Sequence, residues 1–527
     1  MDSPFKAILH TNTVPSDAEC DAIHALLAGP LREVAELMDE INRTQALLDE
    51  LMQKRSQLNK FIDAHLALVS PVRRLPEDVV REIFAASLPS NQNATMSRAE
   101  SPLLLCRICR AWRSIALATP RLWTSLHIVV PSTSRLPQFT DAVIEWLSRS
   151  GSLPIAFSLV ISYSAIVKDL SILLNALAHL SRRWKRIRFR IPSYATLLPL
   201  AALSEGDVPI LQSASIALPV QSEDPTEWNS IGFIATPGLR SASVVCMGSS
   251  LLALPIHWQN LRHLNVTCGG APQTLEAILQ LLRKCTVLET CILHAPIFTD
   301  SPAAIQAPFR MENLLRLRVM DRRCTTETLF QPLVLPQLRS LEYICSMSKL
   351  STLPFGSVFY SAEHLERLYI RQNSNFDSDT LGTNALAAAL ALVPMLQELH
   401  MMGEPMKQIV QPDGDPVDLV TMLTPGAAGA ETILCPKLQH IKLERFRDVS
   451  DLTLLEFIQA RAGPLLRGVT HLSSVDVRFE RERQADIFQP LQDVIATGLK
   501  FSVVYDKPVQ RLYSPSESLI QEDPEIW

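Results

Sequence analysis

The 527-residue chain is expected to be multidomain: an N-terminal heptad helix, a small helical module, and an α/β solenoid whose short parallel strands form a horseshoe. Three observations predict this. A stretch free of Gly and Pro carries apolar residues on alternating steps of three and four. A proline-opened pair of helical segments follows it. Beyond these, one six-residue template recurs through most of the remaining chain.

Composition narrows the functional classes. With 47% hydrophobic and 20% charged residues the chain can bury a core, and its length exceeds what one compact core supports. A formal net charge of −5 gives no whole-chain reason to expect nucleic acid or an acidic membrane. Only 17 Gly stand against 36 Pro, which disfavours glycine-built phosphate loops. The first twenty residues lack a basic segment followed by an apolar run, and the longest wholly apolar run, Ala385 to Leu396, is too short to span a bilayer. The expected location is therefore cytoplasmic, nuclear or both, with the 10 cysteines read as buried, reduced thiols.

In the N-terminal segment, residues 1–30, a short helix is expected from Ser16 to Ala28, ended by Gly29 and Pro30. Residues 31–69 place Val34, Leu37, Ile41, Leu48, Leu51, Leu58 and Ile62 on one heptad stripe, with Thr44, Arg55 and His65 as polar residues on the seam. Two outcomes stay open: the helix folds back or packs within its own chain, or it forms a coiled coil, such as a homodimer, with another chain.

Ser70-Pro71 ends that helix. Pro76 opens the next, with Glu77 and Asp78 in a first turn favoured by the macrodipole and Val79, Val80, Ile83 and Phe84 as its apolar face. After a polar connection, Pro89 to Arg98, a second helix is expected to carry Leu103, Leu104, Leu105, Ile108 and Trp112, followed by Ala116, Leu117 and the pair Leu122-Trp123.

Residues 70–123 resemble an F-box. The matching pieces are Leu75-Pro76-Glu77-Asp78, Ile83-Phe84, Ile108-Cys109-Arg110-Ala111-Trp112 and Leu122-Trp123, in the family's order. The connection between the helices is longer than in the commonest F-boxes, and Ile108 replaces the usual Val. Both features occur in F-box-like variants of mushroom-forming fungi, where an upstream heptad helix ending in Ser-Pro-x-Arg-x-Leu-Pro is also usual, so the resemblance runs over residues 15 to 125. It implies docking on a Skp-type adaptor, which joins a cullin and a RING subunit, through Leu75, Pro76, Val79, Ile83, Phe84, Leu104, Ile108 and Trp112. Sequence alone does not divide these eight between adaptor contact and the F-box core.

Residues 124–505 are expected to form irregular leucine-rich repeats, with a capping subdomain as the alternative for the earliest copies. The template L-x-x-L-x-apolar starts, with relaxed residues, at Trp123, Pro154, Trp184, Leu211, Leu239, Leu261, Leu288, Leu314, Leu338, Leu365, Leu396, Leu438 and Leu472. Between copies the pattern turns helical, as at Leu275, Ile278, Leu279 and Leu282, and again at Leu454, Leu455 and Ile458 before Gly463. A strand and a helix per copy build a parallel array in which each unit buries its apolar face on its neighbours. Residues 506–527 form an acidic, proline-containing tail.

Chemical motifs are sparse. Cys106 and Cys109 form a C-x-x-C pair with no second Cys/His pair at zinc spacing, so no metal is expected. The basic stretch Arg182 to Arg190 alternates Ile187 and Phe189 inward with Arg188 and Arg190 outward, and is read as a solvated repeat strand, not a nucleic-acid contact. The signatures G-x-S-x-G, H-E-x-x-H and G-x-x-x-x-G-K-[ST] do not occur. No cofactor and no catalytic role of this chain's own are expected.

The expected function is that of the substrate-recognition subunit of a Skp-cullin-F-box ubiquitin ligase, supplying proximity between substrate and ubiquitin-charged partner; the alternative is a leucine-rich-repeat, coiled-coil scaffold without ubiquitin coupling. Strand alternation places His263, Asn265, Arg316, Arg318, Ser340, Glu342, Arg367, Tyr369, Arg371, Glu398, His400, His440, Lys442 and Glu444 on the outward, concave face. The cluster Arg316, Arg318, Arg367, Tyr369 and Arg371 is the candidate site for an acidic protein substrate.

Overall fold

The computed structural model describes residues 3–130, 136–161, 170–191, 194–217, 231–246, 251–268, 273–294, 297–298, 307–321, 327–345, 353–372, 382–405, 408–409, 416–426, 433–462 and 468–506. The chain divides into two compact units, residues 1–83 and 84–527. Most of the tail lies outside the described residues.

The first unit is dominated by helix α1, Asp17–Val69, 53 residues long and so roughly 80 Å from end to end. The Glu19 carboxylate accepts the Ser16 backbone N–H at 2.8 Å and satisfies one orphan donor of the first turn. The expected break at Gly29-Pro30 is absent: Pro30 sits inside the helix. Proline disfavours helix in the residue before it partly through that residue's Cβ, and Gly29 has none. A Cβ built there would meet nothing within 4 Å, so the position is open as well as permissive. One continuous helix also leaves no turn for a hairpin. No residue of α1 is buried.

Helix α2, Glu77–Ala86, follows a 3₁₀ turn over Pro71–Arg74. The second expected helix is instead two, α3 (Leu105–Ile108) and α4 (Arg110–Leu117). Cys109 between them is fully extended, and its Sγ accepts the Trp112 N–H at 3.4 Å. The second cysteine of the C-x-x-C pair thus caps a helix start. It is exposed, Cys20 and Cys106 are half-buried, and the reading of every cysteine as buried holds for Cys268, Cys285, Cys291, Cys345 and Cys435.

The second unit is built on one sheet of fourteen strands, paired in chain order and parallel throughout. The strands are β1 (Ser125–Val129), β2 (Ile155–Val160), β3 (Trp184–Arg190), β4 (Ser213–Ala217), β5 (Ser241–Cys246), β6 (His263–Cys268), β7 (Thr290–His294), β8 (Arg316–Asp321), β9 (Ser340–Cys345), β10 (Arg367–Gln372), β11 (Glu398–Met402), β12 (His440–Phe446), β13 (Ser474–Phe479) and β14 (Lys500–Tyr505). Each template copy runs into a strand that starts at its third residue, except at Pro154 and Trp184. At Pro154 a bulge sets Ile155 opposite Trp184, and Ile155, fully buried, takes the place the exposed proline cannot fill. The final strand escaped the template because Gly498 stands where other copies carry Leu.

Inward strand residues alternate with outward ones, and the core lies between the inward face and the helices that follow the strands. These are α5 (Leu136–Ser148), α6 (Ser171–Ala178), α7 (Leu275–Lys284), α8 (Glu327–Phe330), α9 (Gly356–Phe359), α10 (Thr383–Ala391), α11 (Leu419–Leu423), α12 (Asp451–Ala462) and α13 (Gln492–Ala496). In α7, Ile278, Leu279, Leu281 and Leu282 are buried; in α12, Leu454, Phe457 and Ile458. Gly463 lies outside the described residues. The polar connection before α3 has a structural task. The His127 N–H donates to Ala94 O at 2.7 Å, Thr95 bridges to His127, and Asn93 Nδ2 donates to Ser158 Oγ at 3.1 Å. It thereby covers the otherwise unpaired edge of β1.

Candidate functional site

Two sets of side chains carry the sequence-based expectation, and the structure sorts both. Among the eight F-box-like positions, Phe84 is fully buried with its ring 4.8 Å from that of the half-buried Trp112. These two are packing residues. Leu75, Pro76, Val79 and Ile83 are exposed, the last at 47%. Leu75, Val79 and Ile83 are spaced by four, so Val79 and Ile83 lie on one face of α2, and the Arg81–Glu77 pair, 2.6 Å apart, lies on the opposite side of the helix. In the second unit Leu104 and Ile108, again four apart, are exposed at 40% and 54%. Leu122 and Trp123 close the segment in the core: the indole donates to Ala116 O at 2.9 Å, meets Trp146 edge-on at 4.8 Å and lies under the Arg149 guanidinium.

The parallel register arranges the outward residues in three rows across the sheet. One runs Arg316, Ser340, Arg367, Glu398, His440; the next Arg318, Glu342, Tyr369, His400, Lys442, Asp476; the third Met320, Ile344, Arg371, Met402, Glu444, Arg478. All five members of the predicted cluster therefore share the face of β8 to β10, although β9 interposes its own chemistry. Arg316 and Arg367 are exposed and flank Ser340. Arg318 Nε faces Glu342 Oε1 at 3.4 Å. The Tyr369 ring lies tilted against that of His400, centroids 4.3 Å apart, and Arg371 is half-buried between Ile344 and Met402 in its row.

Partial burial and pairing shape the charges here. Burial pushes the Glu342 carboxyl up against the pull of Arg318, and raises the Tyr369 hydroxyl. His400 is pushed down by burial, with Glu444 3.5 Å away opposing it. Burial acts to raise Glu444, but the 2.5 Å bond from Lys442 holds it below the usual carboxylate range and raises Lys442 in turn. From β8 to β13, then, cations on the outward face commonly meet a carboxylate of the same chain, Arg478 with Asp506 at 2.9 Å among them.

The basic stretch read from sequence as a solvated strand lies on another part of the same face. On β3, Arg186 and Arg188 are exposed and Arg190 half-buried. Their rows continue into Ser213, Ser241 and His263, and into Ser215, Ser243 and Asn265. The signal was present in the sequence, but reading β3 as an isolated strand hid its neighbours.

Among the described residues no group of His, Cys, Asp and Glu is placed to hold a metal ion, and no helix is long and apolar enough to cross a membrane. Comparison with known protein families and with curated proteins finds no match.

Proposed function

We propose that the chain is a substrate-recognition subunit that couples to a Skp-type adaptor, and through it to a cullin and a RING subunit, by its F-box-like segment. The outward face of its repeats, read as leucine-rich repeats of a horseshoe, holds the substrate. The observation that carries this is the division of the F-box-like positions. Phe84 is spent on packing, while Val79 and Ile83 on α2, and Leu104 and Ile108 around α3, are left in solvent without a structural role that demands an apolar side chain there. These are the residues assigned to the adaptor. The test is adaptor recovery in a pulldown. Val79→Asp with Ile83→Asp changes only exposed positions, and loss of a central apolar anchor costs about 2 kcal/mol or more, roughly 30-fold in affinity. Undiminished recovery would remove the assignment.

A second reading, a scaffold not coupled to ubiquitin, is favoured by α1, whose Val34, Leu37, Ile41, Leu48, Leu51, Leu58 and Ile62 all lie exposed. Retained partners without any adaptor in the same pulldown would select it.

A further inference from the structure

The outward face of the sheet changes character along its length. From β8 onward, several cations, Arg318, Lys442 and Arg478 among them, are met by carboxylates. On β1 to β7 no outward position carries a carboxylate: the rows there read Ser125, Ala156, Arg186, Ser213, Ser241, His263, Thr290; then His127, Ser158, Arg188, Ser215, Ser243, Asn265, Ile292; then Val129, Val160, Arg190, Ala217, Val245, Thr267, His294. Three guanidinium groups thus stand in a column on β3, and small hydroxyl side chains on β4 and β5 form the floor beside them. With strands about 4.8 Å apart, the two serine columns lie roughly 5 and 10 Å from the arginines. The short serines leave room above the sheet that Arg, Glu and Tyr fill further along. Charge from Arg188 reaches His127 two strands away, where burial first and Arg188 second depress the imidazole.

We propose that this face, β3 to β5, binds an extended peptide segment with acidic side chains at alternate positions. Residues two apart on a strand are about 6.6 to 6.8 Å apart, which is also the spacing of same-side residues in an extended ligand running along β3. Carboxylates at positions i, i+2 and i+4 therefore meet Arg186, Arg188 and Arg190 one for one, in the bidentate geometry that guanidinium favours. The hydroxyls of Ser213, Ser215, Ser241 and Ser243 take up the ligand's backbone N–H and C=O groups. A nucleic acid is the poorer fit, since β3 to β5 present no outward aromatic ring on which a base can stack. The site names the substrate class within the proposed function and replaces the β8 to β10 cluster, where Glu342 already answers Arg318.

The test uses the full-length chain alone, so it does not depend on adaptor binding. Fluorescence anisotropy is measured with a short labelled peptide carrying glutamate at alternate positions, and with one of identical composition whose glutamates are contiguous. The alternating peptide binds the tighter, and Arg186→Glu with Arg188→Glu weakens it by roughly tenfold or more. Arg316→Glu with Arg367→Glu leaves its affinity within about twofold. Both pairs alter exposed positions, and unchanged thermal melts confirm that the variants fold. No binding of the alternating peptide, equal binding of both peptides, indifference to the β3 substitutions, or tighter binding of a single-stranded RNA of equal charge would each overturn the proposal. Loss of adaptor binding alongside retained peptide binding would remove the ligase coupling and leave this site standing.

Discussion

Arg461 offers the sharpest test of how the repeating units are joined. Its side chain, on α12, is completely buried and meets no carboxylate among the described residues. Its nitrogens donate to Leu423 O at 3.0 and 2.9 Å, to Leu434 O at 2.7 Å and to Cys435 O at 3.0 Å. Leu423 is the last residue of α11, so the guanidinium satisfies a helix-end carbonyl as well as the chain entering β12. Cys435 has a φ of 47°, a left-handed conformation unfavourable to a non-glycine residue, and the bond from Arg461 helps to hold it. In Arg461→Met the apolar stem still packs, but the buried carbonyls of Leu423 and Cys435 and the partly buried one of Leu434 lose their donor, at up to about 1–3 kcal/mol each, while relief from burying a charge returns several. The expected net loss is about 3 kcal/mol. Urea unfolding followed by hydrogen exchange over residues 419–462 measures it, because a repeat array opens locally at its weakest interface. Arg461→Lys, which cannot fork, should fall between. A loss below about 1 kcal/mol for Arg461→Met would refute the assignment of this arginine as the tie between neighbouring units.

Two further predictions follow from the same reasoning. Asp451, fully buried, accepts bonds from Arg481 at 2.5 Å and from the Gln484 and Ala485 N–H groups at 2.7 and 2.8 Å. Burial acts to raise its carboxyl, but these bonds hold it below the ordinary 3.8. The stability it contributes is therefore present above pH 3.8 and lost as pH falls through its lower native value. Asp451→Asn should cost about 3 kcal/mol at neutral pH, with the gap to the native chain closing on acidification, as measured by denaturant unfolding across pH. For α1, if a second chain covers the exposed stripe, sedimentation of the full-length protein should show concentration-dependent association that Leu48→Asp with Leu51→Asp abolishes; a monomer at all concentrations would assign the stripe elsewhere.

Much of the architecture was legible because it repeats. Leu261, Leu288 and Leu314 are each buried two residues before an outward side chain, and a periodic signal survives individual substitutions. What was missed depended on single exceptions to local rules. Pro30 stays in its helix because the residue before it is glycine, and Cys109 breaks a helical run because its sulfur supplies a cap. Residues 93–95 carry no strand pattern, yet the open edge of β1 recruits them. The site was harder still. Outward positions could be assigned from alternation, but whether an arginine is free or answered by a carboxylate is decided by the next strand, some 25 residues away in sequence, as Arg318 and Glu342 show.

The central claim is that this chain couples to an adaptor through its F-box-like segment. Its most direct test is to mix the purified full-length protein with a purified Skp-type adaptor and weigh the product by size-exclusion chromatography with light scattering. A stable complex with one adaptor per chain is predicted, lost when Leu104 and Ile108 are both changed to Asp. Separate elution of the two proteins at concentrations of about 10 μM, where an interface of ordinary quality is saturated, would contradict it.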